Sequence, residues 1–141
     1  MFAANIRKSR AFTLVELIVI IVVLAILSGV AIPKYIDYTS SAKASAAKAT
    51  LGAVRSAIAN FYANSALTGT ATYPTLVQMQ TLGTVMQETL PANPYNNSNA
   101  IVAATWNATP PTAGAQGYAY DAALGRFWLN SNTTGVVENL W

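Results

Sequence analysis

The sequence predicts an α+β fold in which a long, kinked N-terminal helix packs on a small antiparallel β-sheet. An apolar run from Phe12 to Ile32 leads, past Pro33, into an alanine- and serine-rich stretch that contains a single glycine. Short aromatic and β-branched runs, separated by turn-forming residues, follow between positions 101 and 130. Helical segments that come first and strands that come last indicate the segregated layers of an α+β domain.

The chain opens with a basic segment, residues 1–11, which contains Arg7, Lys8 and Arg10. These three side chains account for the net charge of +3, because the ionisable residues after them sum to zero. A positive cluster directly before an apolar segment holds an N-terminus on the cytoplasmic side of a membrane. We therefore predict that residues 1–11 form a basic leader on the cytoplasmic side, and the charge pattern gives no indication of a nucleic-acid partner.

The overall composition indicates that part of the chain lies against lipid or protein. Hydrophobic residues make up 53% of the sequence and charged residues 9%, whereas about 25% is typical of soluble proteins. Cysteine and histidine are absent from the sequence, which excludes disulfides, thiolate nucleophiles, histidine-based triads and the common zinc sites. We predict a protein that is not an enzyme and has no cofactor.

The apolar half of the helix is predicted over residues 12–33. From Phe12 to Ile32, at about 1.5 Å per residue, a helix would span about 31 Å, close to the roughly 30 Å hydrocarbon thickness of a bilayer. Glu16 lies inside this run, and an ionised carboxylate in lipid requires a partner. Gly29 and Pro33 are expected to kink the helix, because proline removes a backbone donor.

The amphipathic half of the helix is predicted over residues 34–64, and it should pack on the globular domain. Its apolar residues follow steps of three and four, while Lys43, Lys48 and Arg55 lie off that stripe. The predicted stripe consists of Ala44, Ala47, Leu51, Val54, Ile58 and Phe61.

Residues 65–141 are predicted to form a globular head with loops and a β-hairpin. Strand candidates are Ile101 to Trp106, Tyr118 to Asp121, and Arg126 to Asn130, the last two joined tightly through residues 122–125. One sheet face, composed of Tyr118, Tyr120, Phe127 and Leu129 or of their alternates, should lie against the helical stripe. Arg126 is expected to be solvated beside the hairpin.

The N-terminal segment from Lys8 to Ile18, with Glu16 five positions into the apolar run and Pro33 at its end, resembles the type IV pilins and type II secretion pseudopilins. The resemblance implies cleavage between Ala11 and Phe12 by a prepilin peptidase, methylation of Phe12, and docking on an inner-membrane assembly platform. Family members usually carry glycine where this chain has Ala11. The precursor would lie in the inner membrane and the product in a surface filament or a periplasm-spanning pseudopilus.

The resemblance also implies a role for Glu16 in assembly into a homo-oligomeric helical filament. The amine exposed at Phe12 would neutralise the Glu16 carboxylate of a neighbouring subunit, which removes an unpaired charge. The Asn-Pro-Tyr-Asn turn and late hairpin look closest to major pseudopilins, and the missing cysteine pair departs from many adhesive pilins. The choice between pilus and pseudopilus stays open at this stage.

Two other interpretations compete with these. The N-terminus could be an ordinary signal sequence, cleaved after a small-residue site at residues 29–31 and followed by a secreted or membrane-anchored periplasmic binding domain. Asp121 and Glu88, with the asparagine-rich turn at residues 93–99, are candidate calcium ligands, although such a cation needs about six oxygens. Turn capping by aspartate and asparagine is the simpler interpretation of these residues.

Overall fold

The structure is a computed structural model that describes residues 12–112 and 114–141. It confirms an α+β fold, in which one long helix precedes a short helix, three short strands and a C-terminal 3₁₀ helix. In chain order these elements are α1 (Leu14–Leu67), α2 (Leu76–Gln80), β1 (Ile101–Ala103), β2 (Tyr118–Asp121), β3 (Arg126–Leu129) and the 3₁₀ helix (Glu138–Leu140). The chain divides into two compact units, the first ending at Thr39 and the second comprising Ser40–Trp141.

In the first unit, α1 presents apolar side chains to the outside on every face. The most apolar stretch has a mean hydropathy of 3.0, and none of it is buried within the protein. By length and composition this helix could cross a membrane, a property that it shares with signal sequences. The helix continues through Gly29 and Pro33, and Pro33 cannot donate to the Gly29 carbonyl four residues earlier. The kink expected there remains a prediction.

The second unit is built around the predicted helical stripe. Ala47, Leu51, Val54 and Ile58 are buried, and they pack in one cluster with residues from the sheet. The ends of the predicted stripe, Ala44 and Phe61, are half-buried. The step of three and four residues therefore identified the face of α1 that covers the sheet.

Strands β2 and β3 form the predicted antiparallel hairpin. Tyr118 pairs with Leu129, and Tyr120 pairs with Phe127. Directly paired residues share one face of a sheet, and all four of these side chains belong to the same core cluster as the helical stripe. The sequence left open whether these four residues or their alternates face the helix, and the structure shows that these four do.

The prediction of a wholly antiparallel sheet is wrong, because β1 pairs with β2 in parallel. Parallel neighbours require a crossover of a dozen or more residues, and residues 104–117 provide that length between the two strands. Strand β1 also ends at Ala103 rather than Trp106. The Trp106 amide donates to Asp121 Oδ2 at 2.8 Å, so a side chain takes the place of a strand carbonyl there.

Three aromatic side chains of the hairpin fasten the surrounding loops. Each donates a hydrogen bond to the backbone carbonyl of a proline in a loop. Proline lacks the N–H that pairing within a sheet requires, so it is disfavoured inside strands. The pairs are Tyr120 Oη to Pro74 O (2.7 Å), Tyr118 Oη to Pro91 O (2.9 Å) and Trp128 Nε1 to Pro111 O (3.0 Å). Burial, with a smaller contribution from the Asp121 charge, raises the pKa of Tyr120 to about 12, so its hydroxyl remains a donor at neutral pH.

The asparagine-rich turn is held by Asn93, which is fully buried. Its Nδ2 donates to Gly117 O at 2.8 Å and to Ser131 Oγ at 3.0 Å, and its Oδ1 accepts from the Tyr95 amide at 3.0 Å. Its backbone N–H also bonds to Ser98 O at 2.9 Å. One side chain therefore joins the turn to the segments that flank β2 and β3.

This close packing predicts that Gly117→Ala destabilises the second unit by about 1–3 kcal/mol, the usual effect of overpacking. An added Cβ would lie 1.8 Å from Ser98 O, a backbone atom that cannot simply rotate away. The free energy of unfolding, followed by near-UV circular dichroism of the three tryptophans, measures the effect. Gly52→Ala is the control: this helical position has open space and should gain about 0.5–1 kcal/mol. Equal stability of the two variants would contradict the prediction.

Candidate functional site

The first candidate site is the N-terminal end of α1, where Thr13 and Glu16 form a capping box. The Thr13 amide and hydroxyl each donate to Glu16 Oε2 at 2.9 Å, and the Glu16 amide donates to Thr13 Oγ1 at 3.2 Å. This reciprocal arrangement satisfies backbone donors that a helix N-terminus leaves unpaired. The Thr-x-x-Glu spacing of Thr13 and Glu16 is the recognised sequence signal for this cap.

The capping box leaves Glu16 able to accept a further partner. Both bonds from Thr13 end on Oε2, and neither uses Oε1. Phe12, the residue that would carry the new amine, lies four positions before Glu16 in the sequence. Its side chain is 73% exposed. The predicted cleavage residue Ala11 and the basic leader lie outside the described residues. Gly29 and Pro33 are more than three helical turns further along α1, so they do not contribute to the same site.

The two calcium candidates occupy different surroundings. Asp121 is 6% exposed, and its Oδ1 accepts from the amides of Ala123 (2.9 Å) and Leu124 (3.3 Å), while Oδ2 accepts from Trp106. It therefore caps the hairpin turn. Glu88 is exposed and lies between α2 and β1. Across residues 12–112 and 114–141, no cluster of three or more acidic, histidine or cysteine side chains could hold a metal ion.

Glu138 is a buried carboxylate that the sequence did not single out. Its Oε1 and Oε2 accept from the Thr133 amide at 3.0 and 2.9 Å, and Oε1 also accepts from the Thr133 hydroxyl at 2.8 Å. Burial alone would raise the pKa of Glu138, but hydrogen bonds from backbone amides and from the hydroxyls of Thr133 and Ser131 outweigh it and lower the pKa. The carboxylate thus closes the loop that precedes the C-terminal 3₁₀ helix.

A second feature missed by sequence reasoning is a cleft of about 430 Å³ that brings two arginines and two tryptophans together; we call it the arginine cleft. Its side chains include Arg55, Trp106, Arg126 and Trp141. Arg55 Nε donates to Phe127 O at 3.0 Å, and its Nη2 donates to Trp141 O. Arg126 is exposed, as expected, and its guanidinium lies 4.8 Å from the centre of the Trp106 ring.

The side chains of Arg55 and Arg126 make the arginine cleft positively charged. None of the described residues that line it is acidic. Burial, and secondarily the positive charge of Arg126, lower the pKa of the Arg55 guanidinium. Lys48 extends the positive surface, since its ammonium lies 4.4 Å from the centre of the Trp141 ring. The four side chains are far apart in sequence, so no local motif announces the cleft.

Comparison with known proteins bears on the N-terminal site. The prokaryotic N-terminal methylation motif matches residues 6–32, which include Ala11, Phe12 and Glu16. The chain is 42% identical over 52 residues to the major component of the type IV narrow pilus of Thermus thermophilus, covering 37% of this chain and 45% of that protein. It is 40% identical over 55 residues to a type IV major pilin of Neisseria gonorrhoeae, covering 39% of this chain and 33% of that protein.

A type IV major pilin of Myxococcus xanthus is 36% identical over 55 residues, which cover 39% of this chain and 25% of that protein. No solved structure matches the chain. The matches thus span less than half the length of these relatives. The chain carries a prepilin methylation motif and resembles type IV pilins over part of its length.

The hydrogen bonds to Glu138 predict a pH-dependent stability. Because the folded pKa is lowered, the carboxylate stabilises the fold above its unfolded pKa of about 4.3, and this contribution is lost as pH falls through the lower, folded pKa. Glu138→Gln should lose about 1–3 kcal/mol at pH 7, because an amide cannot accept all of the buried donors. The unfolding free energies of the two proteins should converge as pH falls through this lowered folded pKa.

The control for that measurement is Glu88→Gln, which neutralises an exposed carboxylate in the same unit. Its unfolding free energy should stay close to that of the parent chain between pH 3 and pH 7, since exposed charges contribute little. A pH-independent difference between the parent and Glu138→Gln would contradict the role assigned to Glu138.

Proposed function

We propose that this protein is a structural prepilin that is cut between Ala11 and Phe12, methylated at Phe12, and polymerised through α1 into a type IV pilus. The observation that carries the proposal is an apolar helix, exposed on every face, that bears one carboxylate at Glu16 within the methylation motif. The relatives that share part of its sequence are named as pilins.

The exposed helix requires a covering, and assembly supplies one. Soluble monomers rarely expose apolar patches larger than a few hundred Å², whereas the large apolar residues from Phe12 to Ile36 are each more than 40% exposed. Lipid covers such a helix before assembly, and the same helices of neighbouring subunits replace lipid in a filament core. This order accounts for a membrane-inserted precursor and a product at the cell surface.

Glu16 gives that assembly its register in this proposal. Cleavage creates a positive amine at Phe12, and Glu16 Oε1, which the capping box leaves unused, accepts from the amine of the adjacent subunit. Removing one partner of a buried ion pair is strongly unfavourable, so subunits with a different axial offset would be rejected. The prepilin peptidase and an inner-membrane platform are the partners that processing and polymerisation require.

We favour a pilus over a secretion pseudopilus, because the relatives with partial matches are named as pilus or fimbrial proteins. The proposed role is structural and involves no catalysis or cofactor. Calcium is not part of the proposal, since both carboxylate oxygens of Asp121 already accept backbone amides. The second unit, with its packed sheet, would form the solvent-facing head of each subunit.

Processing predicts the N-terminus of the mature protein. Mass spectrometry of material sheared from cells should find a chain that begins at Phe12 with one added methyl group. Electron microscopy of the same material should show filaments. A mature chain that begins near Ile32, without filaments, would instead establish an ordinary signal sequence and a secreted domain, and would overturn the proposal.

Two substitutions separate the capping role of Glu16 from its charge. Glu16→Gln keeps an acceptor for the Thr13 amide but removes the charge. We expect processed protein in the membrane, with filament yield reduced at least about tenfold, because a loss of 1.4 kcal/mol of association free energy lowers the association constant tenfold. Thr13→Ala removes the cap but keeps the charge, and should still assemble. The readout is filament yield by shearing and immunoblotting. Normal yield from Glu16→Gln would refute the pairing of Glu16 with the amine.

A further inference from the structure

We propose that the arginine cleft of one subunit receives the Glu88 carboxylate of the next subunit, so that the heads of the filament are joined by a directional contact. This inference rests on the proposed filament function, but it concerns a contact between heads rather than between apolar helices. The arginine cleft is lined by Arg55 and Arg126 and contains no acidic side chain among its described lining residues.

The charges of the second unit leave Glu88 as the natural counterion. Its sequence contains three acidic residues, Glu88, Asp121 and Glu138. Asp121 and Glu138 are 6% and 0% exposed, and backbone amides of their own subunit occupy both of their oxygens. Glu88 is therefore the one exposed side-chain carboxylate of the described second unit. The same unit exposes the two arginines, Arg55 and Arg126.

The two features lie on opposite flanks of helix α1. Arg55 lines the arginine cleft, while Thr50 lines an apolar groove of about 410 Å³ that also contains Glu88. These helical positions are five residues apart, which at about 100° per residue places them about 140° apart around the axis. The buried stripe that includes Leu51 and Val54 runs between them. One subunit accordingly carries the acid and the base on different sides.

This arrangement suits repeated association of identical subunits. A heterologous interface, in which a patch on one copy meets a different patch on the next, generates rings or open helical filaments. An isologous dimer would instead require one self-complementary patch. The apolar surroundings also match: Leu140, 53% exposed, stands at the arginine cleft, whereas Ala53 and Val54 line the groove beside Glu88.

The contact would be specific because the arginine cleft is preorganised. The Arg55 guanidinium is fixed by backbone oxygens of Phe127 and Trp141, and Arg126 lies against the Trp106 ring. An incoming carboxylate then meets donors whose positions are already fixed, so little side-chain entropy is lost on binding. Mutual repulsion of the two guanidiniums is relieved at the same time.

Cysteine crosslinking between subunits tests the contact directly, because the natural chain contains no cysteine. Thr89→Cys places a thiol next to Glu88, and Leu140→Cys places one at the arginine cleft; neither removes a charge. Cells that co-express the two variants should yield filaments in which a short bismaleimide produces a covalent dimer. Adding Glu88→Gln to the Thr89→Cys chain should remove most of that dimer.

The control replaces Leu140→Cys by Leu67→Cys, a residue that is 86% exposed and lies about 18 Å along the helix from Arg55 at 1.5 Å per residue. This pair should give no dimer. Filaments without a Thr89–Leu140 crosslink would overturn the contact and leave the filament function standing. Dimers from Thr89→Cys alone would also overturn it, since they indicate an isologous contact. Absence of filaments from the parent chain would overturn both proposals.

Discussion

The architecture of the second unit depends on the burial of the β2–β3 hairpin. One face of the hairpin packs on α1, and on the other Trp128 packs edge to face on Trp106 at 5.2 Å. Because both faces are covered, the polar ends of its aromatic residues must find partners inside the protein. They find them in the carbonyls of loop prolines such as Pro74 and Pro111. The same aromatic residues thus supply the apolar core and fix the loops around it.

The distribution of carboxylates follows from this packing. Asp121 and Glu138 each accept backbone amides within their own chain, which is how a poorly hydrated carboxylate is usually stabilised. Glu88 is the exposed acid of the second unit, while the arginines remain at the surface. A head whose formal charges nearly balance therefore presents a basic flank and a separate acidic position. In the proposed filament, this separation would steer one head toward the next.

Features set by local periodicity were predictable from the sequence, and those set by distant partners were not. The stripe through Leu51 and Ile58 follows from helical spacing, and the hairpin follows from two short runs around a tight connection. The direction of β1 depends on how residues 104–117 cross the sheet, which no local pattern specifies. The arginine cleft likewise joins positions from 55 to 141. The Glu16 cap is a local feature, and the Thr-x-x-Glu spacing of Thr13 and Glu16 is enough to predict it.

The cap also bears on how a charged residue can reside in an apolar helix before assembly. Amide and hydroxyl donors from Thr13 satisfy one oxygen of Glu16, and the N-terminal end of the helix dipole favours a negative charge. In the proposed membrane-inserted precursor, placement within the first turn would put the carboxylate near the membrane interface rather than at the centre of the bilayer, where its insertion would be most unfavourable. In the proposed precursor, the cap would therefore satisfy part of the Glu16 carboxylate without a second subunit. The proposed pairing with the Phe12 amine would then add to a carboxylate that is already oriented, so its effect would be to select a register between subunits.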